Sequence, residues 1–560
     1  MKLSTKLKVL AVAMTSIATM TCAATSVEPW VATHTKATNV GTSLHVAPMQ
    51  SGENIHIAIA LQLRNEKELD AYVNQIKTNG NVAPMNSMQL MANHLPTEAD
   101  ANEVVKYLAA HGFRNIVIAK NRMLVSADGT AGTAKAAFNV DLHHFNVDGR
   151  MAHANVNDAV IPQSLANVVK SIHGLQTVHV AHSTLKVGKT SFADSTASYI
   201  MPKDYQYIYD AASLPPATNT AVGIITVGDL TQTLLDLHSF VATNGFAAPN
   251  VTVVHAGAVG YDTSGTDEWD LDTQAILGAA GGTVKALRLY NATGWDNASL
   301  TETYNAAVAE NAVKVINVSL GECELGPQQD GSMVAEDAIF KLAIAQGQTF
   351  SISAGDAGAY TCHGSAPYQS YPAASPYVMA IGGTRVYGTG PIAMSGPLQY
   401  HTEVNTYAHE IVWSCANSYA CVAGGGTGGG ISQTEIAPAW QVAAGVLDAS
   451  SATKRGVPDI AFDADPASGM VTIVGGGYTG IGGTSLASPL FVGFWARIQS
   501  AKGNNLPFPA QHIYANATTN PGWFHDVTFG GNGAYHAKAS WDYTTGWGSL
   551  DIANFAASYP

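Results

Sequence analysis

The stretch Gly482-Gly483-Thr484-Ser485-Leu486-Ala487-Ser488-Pro489 sets a serine between a small-residue turn and an apolar run of Leu490, Phe491, Val492, Phe494 and Trp495. This pattern predicts Ser485 at the start of a buried helix, where unpaired N–H groups and the helix dipole favour negative charge. Attack of a hydroxyl on a carbonyl creates such a charge. A serine at a helix start is also an ordinary N-cap, so the position alone does not make a nucleophile. In Thr266-Asp267-Glu268-Trp269-Asp270-Leu271-Asp272, Glu268 and Asp272 lie four apart on one helix face. Two like charges there repel, so a structural helix gains nothing from the pair. If they share a proton, one carboxyl holds the other in place. The plainer reading is an acidic first turn that complements the dipole, which also suits Asp267 and Asp270. In Phe350-Ser351-Ile352-Ser353-Ala354-Gly355-Asp356-Ala357-Gly358, an apolar strand delivers a carboxylate between glycines. Strand ends of α/β sheets present functional groups in this way, although an ordinary turn Asp fits equally well.

Together these groups compose one chemistry. A serine hydroxyl is a poor nucleophile until a base takes its proton. Glu268 is assigned as that base and later as the acid toward a leaving amine, with Asp272 orienting it. An ionised Asp356 has no proton to offer an oxyanion, whereas a protonated one donates beside the Ser485 backbone N–H. Both roles suit acid, where an imidazole base would be charged and idle. Two other proteolytic layouts are not matched. His363-Gly364-Ser365 comes nearest to a His-Gly-Thr segment but follows Asp356, and Asp262-Thr263-Ser264-Gly265 is one residue too long for Asp-Thr-Gly and has no second copy.

In this order the three segments resemble the sedolisin family of serine-carboxyl peptidases. The resemblance extends to Arg455-Gly456-Val457-Pro458-Asp459-Ile460 with Ala461 to Met470, to the glycine-rich loop Gly424 to Ser432, and to Ser319-Leu320-Gly321 as the substrate-lining strand. It implies a subtilisin-like, doubly wound parallel α/β catalytic domain behind a ferredoxin-like α+β activation domain. It also implies a zymogen that hydrolyses proteins or peptides, with the pro-domain as intramolecular inhibitor. A calcium site is implied at Asp526, Val527, Lys538, Ser540 and Asp542, two carboxylates joined by backbone carbonyls, the hard ligands Ca²⁺ prefers. Lys538 and Ser540 replace the small glycines usual there, and two plain turn aspartates are the alternative. A secreted binding protein that kept the fold and lost the activity is the competing function; retention of Glu268, Asp272, Asp356 and Ser485 argues against it.

The elements that must position these residues are legible in outline. The 560 residues allow two or more domains with sizeable cores. Lys2, Lys6 and Lys8, the apolar run from Val9 to about Met20, and Ala23 and Ala24 have the layout of a secretory signal over residues 1–24, so the product is expected to be exported. No later run is long enough for a membrane span. Residues 25–182 are the expected activation domain. From about Val46 to Val178 the pattern alternates short strands and amphipathic helices: His56 to Leu63, Asn115 to Ile118 and Arg122 to Val125 as strands, and Glu66 to Thr78, Glu98 to Ala110 and Ala131 to Phe138 as helices. Residues 183–198, rich in Ser, Thr, Lys and Gly, read as a linker with a processing site. From 199 to 560, strands at Ala221 to Val227, Val251 to Val254, Val313 to Val318, Thr349 to Ser353 and Val378 to Ile381 alternate with helical stretches. A monomer is expected.

Charge separates the two halves. From Ala197 onward 11 basic residues face 28 acidic ones, a net −17, while the preceding part carries +3. A surface so poor in basic groups excludes nucleic-acid binding and loses little when acid neutralises its carboxylates. Of 19 histidines, 11 lie between residues 25 and 195, including His143, His144, His179 and His182. Their protonation below about pH 6 is expected to help release the pro-segment. Outside the leader with its Cys22, Cys323, Cys362, Cys415 and Cys421 allow two disulfides in an exported chain. Cys415 with Cys421 would close a short loop and leave Cys323 with Cys362; the sequence leaves the connectivity open.

Overall fold

A computed structural model describes residues 28–78, 82–187, 199–362, 364–389, 404–414 and 425–559. The expected leader, residues 188–198 of the linker, Gly424, and Cys415 with Cys421 lie outside the described residues.

The N-terminal unit runs β1 (Leu44–Pro48), β2 (Asn54–Leu61), α1 (Glu66–Thr78), α2 (Ser87–Asn93), α3 (Glu98–Ala110), β3 (Arg114–Ile118), β4 (Leu124–Thr130), α4 (Ala131–Phe138), β5 (Leu142–Val147), β6 (Arg150–Asn155) and β7 (Val169–His173). It ends in two short strands, β8 (His182–Ser183) and β9 (Lys186–Val187). The principal sheet is antiparallel, in the order β3-β4-β2-β7. The period of two along β2 decides its packing. Ile55, Ile57, Ile59 and Leu61 enter the unit's own core with Val104 and Leu108 of α3 and Phe138 of α4. Ala60 joins the core of the second domain instead, as do Leu69 and Val73 of α1. The N-terminal unit is therefore docked through one sheet face and two helices, Leu90 of α2 joining the same core. Beyond the expected elements, the structure adds β7, α2 and a second sheet of β1, β5 and β6.

The second domain is built on an eight-stranded sheet. Its order is β11 (Val251–His255), β12 (Val284–Ala292), β10 (Ala217–Val227), β13 (Val315–Val318), β15 (Thr349–Ser353), β16 (Met379–Gly388) and β17 (Tyr407–Val412), with β18 (Ile460–Asp463) also beside β16. All pairings are parallel except that of β16 with β17. Off this sheet, β14 (Leu320–Cys323) follows β13, and β19 (Gly477–Gly482) precedes the last long helix. The helices that matter for the site are α5 (Thr231–Asn244), α6 (Thr266–Ala279), α7 (Asn297–Glu310), α8 (Ser332–Ala345) and α9 (Thr484–Ala501). From Thr484 to Ser500 every residue of α9 is buried, so it runs through the core, packed on α6 and under β10, β13, β16 and β18. A helix apolar all round is expected only in such a place. The sheet order reverses direction between β10 and β13, the switch point whose carboxyl-end crevice holds sites in open α/β folds.

Candidate active site

Four elements converge at that crevice. Gly483 caps α9 with φ +99°, a conformation that favours glycine, and places Ser485 in the first helical turn, where N–H groups have no intrahelical partner. α6 carries Glu268 and Asp272 one turn apart on its buried side; Glu268 is 1% exposed, and Asp272 and Ser485 are 0% exposed. Asp356 follows β15 and is 7% exposed. Its Oδ1 accepts from the Thr484 backbone N–H at 2.8 Å and the Thr484 hydroxyl at 2.7 Å, while Oδ2 meets no partner. The glycine-rich loop closes against it. Gly426 N–H donates to Asp356 O at 3.0 Å, and a Cβ at Gly428 would stand 1.9 Å from Ala354 O. The structure thus brings together all four residues expected from the sequence.

Their electrostatics follow from burial. Glu268 is pushed well above the ordinary carboxylate range, first by desolvation and then by Asp272; the hydroxyls of Ser183 and Ser485 oppose this. Asp272 is raised too, again by burial, against the hydroxyl of Ser319 and the amide of Asn317. Glu268 Oε1 and Asp272 Oδ2 have no hydrogen-bond partner, and one proton between two such carboxyls would satisfy both. Burial raises Asp356 to about 7, opposed by its bonds from Thr484 and by the charge of Lys186. A neutral carboxylic acid there has its free oxygen available as a donor.

Supporting residues came from no sequence signal. Ser319 Oγ donates to Asp272 Oδ1 at 2.6 Å, Asn317 Nδ2 to Ser319 Oγ at 2.9 Å, and Ser488 Oγ to Asn317 Oδ1 at 2.7 Å. This polar chain joins α6, β13 and α9 beneath the site and fixes Asp272. Only tertiary proximity creates it. Ser319, expected in the substrate-lining strand with Leu320 and Gly321, so serves the carboxyl pair as well.

The cleft is filled by the chain's own pro-region. His182 and Ser183 pair antiparallel with Gly321 and Leu320 of β14, and Lys186 and Val187 pair antiparallel with Gly482 and Ile481 of β19. Part of the expected linker is therefore an added strand on both walls. The Ser183 hydroxyl donates to Glu268 Oε2, and Thr184 Oγ1 stands 2.8 Å from Ser485 Oγ. A cavity of about 1220 Å³ opens beside this strand, lined among others by Gly321, Glu322, Asp356, Gly358 and Ser370. Cys323 at the end of β14 is joined to Cys362, tying one wall to the loop after Asp356.

Two further segments have distinct duties. Arg455 and Asp459 form a fully buried pair at 2.7 Å, with Tyr514 and the Ala380 N–H also on the carboxylate. They brace the sheet at β16, where the Ala380 N–H donates to the carboxylate. In the C-terminal loop, Ser540 N–H donates to Asp526 Oδ2 at 2.9 Å and Lys538 N–H to Asp542 Oδ2 at 3.1 Å, so both carboxyls converge on residues 538–540. Among the described residues no hydrogen bond reaches the carbonyls of Val527, Lys538 or Ser540. Burial raises both aspartates, opposed at Asp526 by its bond from Ser540 and at Asp542 by its bonds from Thr544, Thr545 and Lys538. Lys538 is exposed, which leaves its ammonium free to point into water. Two carboxylates and three carbonyls are an oxygen donor set of the kind a hard cation takes, with Asp542 Oδ1 already accepting from Thr544 and Thr545.

Comparison with known proteins gives the class first. Residues 42–178 match the Pro-kumamolisin activation domain, and residues 253–548 match the Subtilase family. This is a peptidase of subtilisin-like fold that carries its activation domain. Sedolisin of Pseudomonas sp. (strain 101) is 42% identical over 94% of this chain and 92% of its own length. Xanthomonalisin of Xanthomonas sp. (strain T-22) is 39% identical over 90% of this chain and 66% of its own. The solved structure of Pseudomonas sedolisin with pseudo-iodotyrostatin superposes with a TM-score of 0.58 at 44% identity, covering 65% of this chain and 98% of that one. The chain belongs to the sedolisin family of serine-carboxyl peptidases.

Proposed function

We propose that this chain is the exported zymogen of an acid-active endopeptidase in which Ser485 attacks, Glu268 moves the proton, Asp272 orients Glu268, and Asp356 stabilises the oxyanion. The observation that carries this reading is the convergence of these groups on one short segment, with Glu268 at the Ser183 hydroxyl, Ser485 at the Thr184 hydroxyl and Asp356 beside the Thr184 carbonyl. A Cβ on Gly483 would stand 2.4 Å from Thr184 O and 2.8 Å from Asp356 Oδ2, so a peptide carbonyl and the bare carboxyl oxygen share one small space above Ser485.

The sequence of events follows from the charges. With the pair's shared proton toward Asp272, Glu268 takes the Ser485 proton as Oγ forms a bond to the peptide carbon. The carbonyl oxygen becomes an oxyanion and accepts from protonated Asp356 and the Ser485 N–H. The C–N bond then breaks, and Glu268 returns its proton to the leaving nitrogen. Water repeats the steps against the acyl ester, with Glu268 again as base. Acid keeps Asp356 protonated, so the oxyanion donor is present where an imidazole would be useless. Export rests on the basic and apolar pattern of residues 1–24.

Calcium, when bound, would be held by Asp526 and Asp542 with the carbonyls of Val527, Lys538 and Ser540, and would supply charge neutralisation in the C-terminal loop. It has no part in the bond-breaking steps.

Acid release of the pro-domain is supported by its docking contacts. Lys341 of α8, 7% exposed, reaches Glu66 at 2.9 Å and Asp70 at 2.7 Å on α1. These bridges are lost as the carboxyls protonate. The histidines of the pro-region divide. Glu302 and Asp128 hold His56 up to about 9, so it is charged before acidification begins, whereas burial lowers His34, His153 and His173 and delays their charging into acid. The proposed trigger therefore rests on the carboxylates and on His34, His153 and the fully buried His173.

The test is digestion of an added unfolded protein by the acidified full chain. Wild type is expected to degrade it and Ser485→Ala to leave it intact; equal digestion by both would remove Ser485 from the mechanism.

A further inference from the structure

Ser183 and Thr184 stand where their hydroxyls meet the two groups that must exchange a proton. The backbone sets their register. His182 and Ser183 pair with Gly321 and Leu320, Thr184 N–H donates to Ser319 O at 3.3 Å, and Lys186 and Val187 pair with Gly482 and Ile481 across the cleft. Between the two clamps run the bonds Thr184–Leu185 and Leu185–Lys186, and the site selects the first. Its carbonyl, that of Thr184, lies against Gly483 and Asp356 Oδ2. The bond presented to Ser485 is Thr184–Leu185.

The side chains oppose the reaction that the backbone invites. Ser183 Oγ donates to Glu268 Oε2, the carboxylate that must accept the serine proton. Thr184 Oγ1 lies 2.8 Å from Ser485 Oγ, 2.8 Å from Ser353 Oγ and 3.4 Å from Ser319 O. A hydroxyl has one proton, so Thr184 donates to one of these neighbours and must accept elsewhere. If Ser485 donates to it, the serine proton points away from Glu268. If Ser485 accepts from it, a lone pair needed for attack is tied up. Either arrangement slows the first step.

We infer that Ser183 and Thr184 form a hydroxyl latch: the linker is seated as a substrate whose first self-cleavage falls at Thr184–Leu185, and its two hydroxyls hold the nucleophile and the base until that cut is made. This rests on the roles proposed above for Ser485 and Glu268. In the cut, Ser485 Oγ bonds to the Thr184 carbonyl carbon and its proton passes to Glu268. The Thr184–Leu185 C–N bond breaks, and the proton goes to the Leu185 nitrogen, which leaves as an amine. Water then hydrolyses the acyl ester, restoring the Ser485 hydroxyl and releasing Thr184 as a carboxylic acid. Once cut, both hydroxyls depart with the pro-domain, so the latch acts once.

The experiment follows self-processing of the full-length chain after a rapid drop in pH, quenched early and read by intact mass and N-terminal sequencing over a range of chain concentrations. The first large fragment is expected to begin at Leu185, at a rate independent of concentration. Ser183→Ala and Thr184→Val keep the shape and remove one hydroxyl each, and each is expected to cut the same bond about two- to tenfold faster. A first fragment beginning at any other residue overturns the latch, as does a rate in either variant no faster than wild type. If the chain cuts itself first at another bond and still digests added protein, only the latch fails. A chain that cuts neither itself nor added protein overturns the assigned roles as well.

Discussion

Asp356 makes the most specific demand of any residue in the site. Its Oδ1 is taken by Thr484 and its Oδ2 is bare, so an Asn side chain can keep the first contact through its oxygen and place an NH₂ where the proton would be. Wild-type activity is expected to fall as pH rises through about 7, the value to which burial lifts this carboxyl, because ionisation removes the donor. Asp356→Asn should lose that alkaline limb while costing no more than about 10²-fold in kcat, the scale of one weakened oxyanion donor. Asp356→Ala should cost about 10²–10³-fold at every pH. A pH–rate profile of all three proteins checks this, and an Asn variant that still declines through 7 would assign the limb to another group. Ser485, Glu268 and Asp356 were readable from sequence because each sits at a helix start or strand end, and Asp272 because it follows Glu268 by one helical turn. Ser183, Thr184, Asn317 and Ser488 were not. Nothing in a Ser- and Thr-rich linker says what it will pair with, and the chain from Ser488 to Asp272 links residues far apart in sequence.

At the level of elements, α6 and α9 act as one unit, since the base rides on one and the nucleophile on the other. Their contact was implied only by the joint chemistry assigned to Glu268 and Ser485, and the sheet that holds them was only partly legible. The strand β12 was missed because Lys285 and Arg288 interrupt its apolar pattern. Arg288 is accommodated by Glu310 of α7, with Nε at 2.9 Å, and Tyr290 donates to the same carboxylate at 2.7 Å. Asp270 also departs from the helix-dipole reading. It is fully buried and faces Asp236 of α5 rather than water. The C-terminal loop carries the proposed cation. For full-length Ser485→Ala, which cannot digest itself, calcium at 100 times its dissociation constant should add about 2.7 kcal/mol. Chelation should therefore lower the melting temperature by several degrees, and Asp542→Ala should abolish the difference. An identical melting temperature with and without chelator would mean that Asp526 and Asp542 are simply turn residues.

Across the whole molecule, acidity is built into the fold as well as the site. Burial raises Asp356 to about 7, and burial together with the charge of Asp236 raises Asp270 to about 8. Each binds its proton more tightly folded than unfolded, so its contribution is complete below the ordinary carboxylate value near 4 and is lost as pH rises through 7 and 8. The loss amounts to about 1.4 kcal/mol per pH unit for each group over that span. Full-length Ser485→Ala should therefore unfold at a lower temperature at pH 8 than at pH 4, measured calorimetrically in the same salt. Greater stability at pH 8 would show that these carboxyls are ionised in the native state. Composition hinted at this tolerance through the excess of acidic over basic residues after Ala197, but which acids are buried is a property of the packing.

The proposed mechanism requires a carboxylate, not an imidazole, to take the proton of Ser485. The direct measurement is self-processing of full-length Glu268→Gln in acid, with folding verified by circular dichroism. Gln keeps the size of the side chain and cannot accept that proton, so the variant should remain full length, at least 10²-fold slower than wild type. A folded Glu268→Gln chain that cuts itself as fast as wild type would contradict the mechanism.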